Sequence, residues 1–281
     1  MPAVPSSFIE PLWVQFEALL PAHHDDHPLG CHNPRIGDRL VFDKLVARLV
    51  LGGSYEKHAD QTCSATTMRR RRDEWVTADV FTQIEQIALD AYDKIIGLDL
   101  NTIVIDGSIA KAPCGGQAAG PSPVDRGKSG TKRHNMTDGQ GIPLGVVVTG
   151  ANRNDSILLE DTLDLLARFG DRLPCPASIG VALDAGYDSN LTRERLKARG
   201  LNGIITAKGE KIPINKTPRW VVERTNSWHA RGFQLLLVCL ERRTEVIDAW
   251  IALANAIIII RRLIRQAWDT HRWETRPRRR P

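Results

Sequence analysis

A chain of 281 residues, 42% of them hydrophobic, has enough apolar material for one sizeable core or two modest ones. Its formal net charge is +5 with a pI near 9.1, and the arginines are clustered, which favours a polyanionic partner such as nucleic acid over a neutral one. The longest apolar stretch, residues 250–260, is far short of the ~20 residues that cross a bilayer, so it reads as a buried helix and a membrane is excluded as partner.

In chain order, the N-terminus lacks a basic start followed by an apolar run, which predicts a protein that stays in the cytoplasm. His23, His24, Asp25, Asp26, His27, Cys31 and His32 resemble a metal cluster, but their spacing is irregular and no second half completes a tetrahedral zinc site, so a polar loop is expected. The five cysteines contain no Cys-x-x-Cys pair and are too widely spaced for a disulfide framework; packing roles are expected. The first clear helix signal is Asp38 as N-cap ahead of Leu40, Val41, Leu45, Val46, Leu49 and Val50, ended by Gly52 and Gly53. A short segment at 55–60, a turn at 61–63 and a helix over 64–75 follow. That helix carries Arg69, Arg70, Arg71 and Arg72, and helix, turn, basic helix suggests a helix-turn-helix that contacts DNA. A further helix over 79–95 places Val80, Ile84, Ile87, Ala88 and Ala91 on one stripe. Residues 1–97 are thus expected to form a small all-α DNA-binding domain.

After Gly97 the period becomes extended, with residues 102–106 forming a short apolar strand that ends in Asp106. Residues 107–130, rich in Gly and Pro and including Lys111, Arg126 and Lys128, predict a basic loop. Its Gly127-Lys128-Ser129 lacks the earlier glycine and the leading strand of a phosphate-binding loop, so no nucleotide cofactor is expected. Segments 131–137 and 142–149, joined by Asp138-Gly139-Gln140-Gly141, read as a β-hairpin bearing Lys132 and Arg133. A helix over 156–169 closes at Gly170, and a strand over 178–183 runs into Asp184. Then come a helix near 192–199, a strand near 203–206, and a helix with Thr217 as N-cap and Pro218 at its first position, with Glu223 near its start. A last helix over 244–267 supplies apolar bulk, before a basic tail, 271–281, expected to be disordered. A strand meander followed by alternating strands and helices predicts an α/β mixed sheet with flanking helices over residues 98–270.

Asp106 and Asp184 follow apolar strands, at the sheet edge where open α/β sheets bind ligands, and Glu223 can approach from the covering helix. Three converging carboxylates repel one another unless a divalent cation neutralises them, and their hard oxygens select Mg²⁺, with Mn²⁺ able to substitute. Two such ions could drive an in-line displacement at phosphorus. Arg219 and Asn226 share the helix face of Glu223, suited to touching phosphate or orienting a ligand. Asp188 lies beyond Gly186 and reads as a turn cap rather than a second catalytic aspartate.

These residues resemble the DDE transposases of bacterial insertion sequences, in the insertion sequence four/five superfamily and the branch grouped with insertion sequence five. The likeness runs through "SYEKHADQTCSATTMRRRRDEW", "VIDGS" with Asp106, "GPSPVDRGKSGTKRH" leading into "GIPLGVVVTGANRNDS", "LDAGYDS" with Asp184, and "RWVVERTNSW" with Glu223. The resemblance implies a ribonuclease-H-like fold, binding to terminal inverted repeats in double-stranded DNA, cleavage at the element's ends and strand transfer to a target, by at least a dimer on DNA. Relatives often carry Lys six or seven residues after the Glu. Here His229 and Ala230 stand there and Arg231 one position further. Two other readings stay open from the residues: a metal-dependent nuclease without strand transfer, and a DNA-binding regulator whose catalytic half has decayed.

Overall fold

A computed structural model describes residues 4–23, 35–209, 213 and 217–270. Except for His23, the histidine- and cysteine-rich cluster lies outside them, as does the basic tail. The chain opens with α1 (Ser6–Ala18), α2 (Asp38–Leu51), α3 (Tyr55–His58), α4 (Ala65–Thr77) and α5 (Val80–Ile95). The first of these was not anticipated. Its Ile9, Leu12, Trp13 and Phe16 are buried at helical spacing, and Pro11, which deprives the helix of one donor, sits on the exposed side where water can satisfy the freed carbonyl. Ser64 caps α4 by accepting a bond from the Thr67 amide at 3.1 Å.

The rest of the chain runs β1 (Thr102–Lys111), β2 (Gly120–Pro121), β3 (Ser129–Thr137), β4 (Pro143–Gly150), α6 (Asp155–Asp164), β5 (Gly180–Leu183), α7 (Asn190–Ala198), β6 (Asn202–Ile205), α8 (Trp220–Gly232), α9 (Gln234–Leu237) and α10 (Thr244–Thr270). One mixed sheet results. β4 pairs antiparallel with β3, β3 antiparallel with β1, β1 parallel with β5, and β5 parallel with β6, while the two-residue β2 adds to the end of β3. Three antiparallel strands continued by two parallel ones, with helices on both faces, is the ribonuclease-H-like arrangement, and the mixed α/β expectation holds.

One cap and three boundaries differ from the sequence reading: Gly37 stands at the N-cap of α2, and Asp38 is its first residue, with its carboxylate paired to Arg71. β1 does not stop at Asp106. Gly107 and Ser108 suggested a turn, yet pairing continues from Val104 opposite Thr137 to Lys111 opposite Gly130, so Asp106 lies mid-strand. Residues 165–172 tighten from α-helix into 3₁₀ turns after Asp164. α8 starts at Trp220 rather than Pro218, preceded by a tight turn in which the Val221 amide bonds the Pro218 carbonyl at 3.2 Å.

The core is continuous from the N-terminal helices to the sheet. Phe16 meets Phe42 at 4.7 Å and Trp75 at 5.1 Å between ring centroids, and this aromatic cluster joins the buried faces of α5 and α10. α10 is buried from Ala249 through Ile260, as its apolar run predicts. One polar line crosses this apolar mass. The His229 ring on α8 contacts Asn255 Oδ1 at 2.7 Å, Asn255 donates to Glu85 Oε1 on α5 at 2.7 Å, and Glu85 is paired with Arg168 at 3.2 Å. Buried polar groups demand such partners, so the line sets how α5, α8 and α10 register.

Burial, and after it the nearby Arg133, holds the His229 pKa down to about 3, against about 6.5 in an unfolded chain. The folded protein keeps this ring neutral while the unfolded chain takes up a proton, so stability is lost as pH falls from about 6.5 toward 3. The slope for one such proton is about 1.4 kcal/mol per pH unit. Thermal melts of His229→Gln at pH 7, 6, 5 and 4 should show a pH dependence shallower than wild type by about that slope. An unchanged slope would mean that the ring is already charged in the fold.

Candidate active site and nucleic-acid interface

The site is assembled from three elements that the sheet topology brings to one place: the middle of β1, the end of β5 and the first turn of α8. Parallel pairing of Val104 with Ala182 sets the two strands that carry Asp106 and Asp184 side by side. α8 packs over β1 and β3 through Val221 and Val222, which form a small apolar cluster with Val104 and Ala182. That packing places Arg219 and Glu223 above the middle of β1 and the end of β5.

Arg219 Nη2 lies 3.9 Å from Asp106 Oδ1, 3.9 Å from Asp184 Oδ2 and 3.9 Å from Glu223 Oε1. The three carboxylates thus converge on one guanidinium. Among the described residues no three His, Cys, Asp or Glu side chains close directly on one point as an ion cage; here the guanidinium lies between them. Exposure is graded across the site: Asp106 is buried, Asp184 partly so, and Glu223 exposed.

Burial first, and then the negative charge of Glu223, push the Asp106 pKa up to about 7; Arg219 opposes the rise and Asp184 adds to it. Asp106 Oδ2 accepts a bond from Asn226 Nδ2 at 3.4 Å, and Asn226 Oδ1 accepts one from Asn135 Nδ2 at 2.5 Å. Asn135 is the cross-strand partner of Asp106 on β3. Asn226 is therefore a buried support for Asp106 rather than a surface ligand. Asp184 Oδ1 accepts from the Gly186 amide at 2.8 Å, capping the turn after β5 and leaving Oδ2 toward Arg219. Asp188 accepts from the Lys208 amide at 2.9 Å and pairs with Arg193 at 2.6 Å, away from the cluster, in the turn role expected of it.

Gly107 follows Asp106 because a side chain there has no room: a Cβ would stand 2.5 Å from Asp155 Oδ1 at the start of α6. Asp155 is held by Lys132 at 2.8 Å, so Lys132, expected to reach for DNA, is buried in an ion pair. Arg133, its neighbour on the other face of β3, is buried as well. Burial lowers its pKa to about 10. His134 makes contacts through both ring nitrogens, to Thr162 Oγ1 at 2.5 Å and to the Tyr187 hydroxyl, behind the turn that follows Asp184. Asn135, His134 and Tyr187 escaped the sequence reading. The available signal was a run of polar residues, 131–135, in a strand with apolar neighbours on both faces, where each must have a partner.

The arginines of α4 divide in two. Arg71 is buried against Asp38 and Glu74, and Arg72 against Tyr55, Asp73 and Glu241, so neither presents a face to DNA. Charge made the four look alike; the helix turns Met68, Arg71, Arg72 and Trp75 inward together. Arg70 is exposed, and Arg69 is half-exposed beside Glu56. Lys128 and Arg231 are exposed. Cys63 and Cys239 are buried packing residues, whereas Cys114 and Cys175 are free and exposed. No helix among the described residues is long and apolar enough to cross a membrane.

Residues 97–259 match the family described as Transposase DDE domain. A protein of Burkholderia cepacia, assigned as a transposase for insertion sequence element IS402, is 36% identical over 145 residues, covering 50% of this chain and 67% of its own length. Solved structures also align with the chain, at low TM-scores. They include the crystal structure of the Mos1 mariner paired end complex with Mn, with TM-score 0.32 and 11% identity over 96% of this chain and 89% of that one, and a pre-cleavage Mos1 transpososome, with TM-score 0.28 and 11% identity over 94% and 88%. The family match spans more than half of the chain and takes in every strand of the sheet and all three converging carboxylates, and on that basis the chain belongs to the DDE transposases.

Proposed function

We propose that this protein binds double-stranded DNA at the terminal inverted repeats of its insertion sequence, cuts the DNA at those ends and joins them to a target, acting with Mg²⁺ or Mn²⁺ held by Asp106, Asp184 and Glu223. The observation that carries the reading is the convergence of these side chains on Arg219, with one of them driven to a pKa of about 7 by its surroundings. Three carboxylates against one guanidinium leave an excess of negative charge at the sheet edge, and their oxygens are the donor set that hard divalent cations take. Such cations, when bound, supply Lewis acidity at phosphorus and a nucleophilic oxygen near neutral pH.

The chain's own residues do the positioning. Asn135 and Asn226 fix the rotamer of Asp106, and the Gly186 amide fixes that of Asp184. Glu223 projects from the exposed face of α8, where substrate must approach. Arg219 provides counter-charge to the cluster and is placed to meet a phosphate. On the N-terminal helices we assign DNA contact to Arg69 and Arg70, and keep Lys128 and Arg231 as further contacts. The division into a DNA-binding block over 1–97 and a catalytic unit over 98–270 belongs to the same proposal, as does a dimer assembled on paired DNA ends.

Incubation of the protein with Mg²⁺ and donor DNA ending in its own inverted repeats should yield end-specific cuts and joined products. Products cut but never joined would favour a nuclease, and tight binding without cutting in either metal would favour a DNA-binding regulator. Asp184→Asn should keep DNA affinity and lose about a thousandfold in cutting rate, equivalent to about 4 kcal/mol of barrier; undiminished cutting would remove Asp184 from the site. Arg70→Ala should weaken DNA binding and flatten its salt slope by about 0.9, the signature of one lost phosphate contact. Arg71→Ala should instead destabilise the fold by about 1–3 kcal/mol in denaturant melts, since it removes a buried guanidinium and its charged bonds to the part-exposed Asp38 and Glu74.

A further inference from the structure

A cavity of about 600 Å³ opens between α1, the C-terminal half of α8 and α10. Phe8, Trp228 and Ile258 contribute to an apolar lining, and Arg231, Arg261, Arg262 and Arg265 line it as well. No ion pair joins any of these four arginines, three exposed and Arg262 half-buried, to a carboxylate among the described residues. They are also crowded against their own kind. Burial and then repulsion from Arg265 lower the pKa of Arg261, and burial and then Arg262 lower that of Arg224 on α8. Arg262 Nε is buried without a hydrogen-bond partner. Like charges gathered without counter-ions are unfavourable in the free protein and suit a polyanion.

Two observations say which polyanion. Glu223, Ser227 and Arg231 follow one another at four-residue intervals on α8, so they lie on neighbouring parts of one helix face. At 1.5 Å per residue, Arg231 stands about 12 Å beyond Glu223, an axial distance of about three to four base pairs of duplex. A strand lying against Glu223 and following that face arrives at the cavity. The chain's own residues 271–281 are unsuited to fill it, because they hold five arginines and one glutamate and would be repelled.

We propose that this groove is a second DNA-backbone site, in which Arg231, Arg261 and Arg265 take phosphates of the duplex a few base pairs away from the one cut at the carboxylates. The inference rests on the reading that the protein acts on DNA, and it adds the direction in which the duplex leaves the active site. α8 then joins chemistry and grip in one rigid element. The exposed Arg261 and Arg265 bind the DNA, while Arg262 is held behind them by its cation–π contact with Trp228.

The test is the salt dependence of duplex binding by the full chain, read by fluorescence anisotropy. Arg261→Gln/Arg265→Gln should make the slope of log K against log salt shallower by about 1.8, two phosphate contacts at about 0.9 each. Arg261→Lys/Arg265→Lys should restore most of the slope and shows that folding is intact. Lys94→Gln/Lys197→Gln removes the same net charge elsewhere, and a slope change equal to that of the groove pair would reduce the effect to overall charge and overturn the proposal. So would an unchanged slope in the groove variant while wild type still binds and cuts DNA, which leaves the transposase reading standing. Wild type that neither binds nor cuts DNA in Mg²⁺ or Mn²⁺ would sink both. If polyglutamate binds wild type and loses that binding in the groove variant while the DNA slope is unmoved, the groove belongs to an acidic protein segment instead.

Discussion

Mutual repulsion among Asp106, Asp184 and Glu223 is the constraint around which the rest of the protein is arranged. Left to themselves, three carboxylates held by one guanidinium would swing apart or take up protons; the raised pKa of Asp106 owes most to burial, and then to the charge of Glu223. What keeps them together is apolar: Val104 and Ala182 on adjacent parallel strands packed against Val221 and Val222 at the start of α8. Hydrophobic burial of four small side chains, together with the sheet's hydrogen bonds, therefore holds a polar arrangement that electrostatics alone would disperse.

β3 shows how the support is built. Its residues alternate between the two faces of the sheet, and nearly all are buried, although most are polar. Toward α6, Lys132 meets Asp155, and His134 meets Thr162 and Tyr187; toward α8, Asn135 meets Asn226 and through it Asp106. Lys132, His134 and Asn135 are tolerated there because each finds a partner, and those partners belong to the elements that frame the site. The strand trades apolar packing for precise placement of its neighbours.

The long helix α10 binds the N-terminal helices to the sheet, and a buried line from Glu85 through Asn255 to His229 connects α5 to α8. Helix α8 thus answers both to the site at its first turn and to the helical block at its last. The same economy governs the arginines. In α4 they are shared between an inward face, where Arg71 and Arg72 are bound up in carboxylate networks, and an outward face at Arg69 and Arg70. On α8 and α10 they are left without carboxylate partners at the edge of a cavity.

Periodicity and local chemistry were enough to read most of the elements and the mixed α/β class, because alternation and helical stripes are local signals, and they marked Asp106, Asp184 and Glu223 as candidates. Asp184 after an apolar strand and the largely apolar run at 250–260 each have a local meaning that folding does not change, whereas Asp38, read as a cap, is spent on Arg71. The reach of β1 past Gly107, by contrast, depends on β3 lying beside it, and the convergence on Arg219 depends on α8 crossing β1, more than a hundred residues earlier. Whether an arginine meets solvent or a partner inside the fold is likewise invisible in a run of four identical letters, since the answer lies with Tyr55, Asp38 and Glu241. Sequence determined which groups the chain possesses and how each segment bends; only tertiary structure decided which of them meet, because meeting is set by the packing of distant apolar faces and not by anything a residue carries along its own stretch of chain.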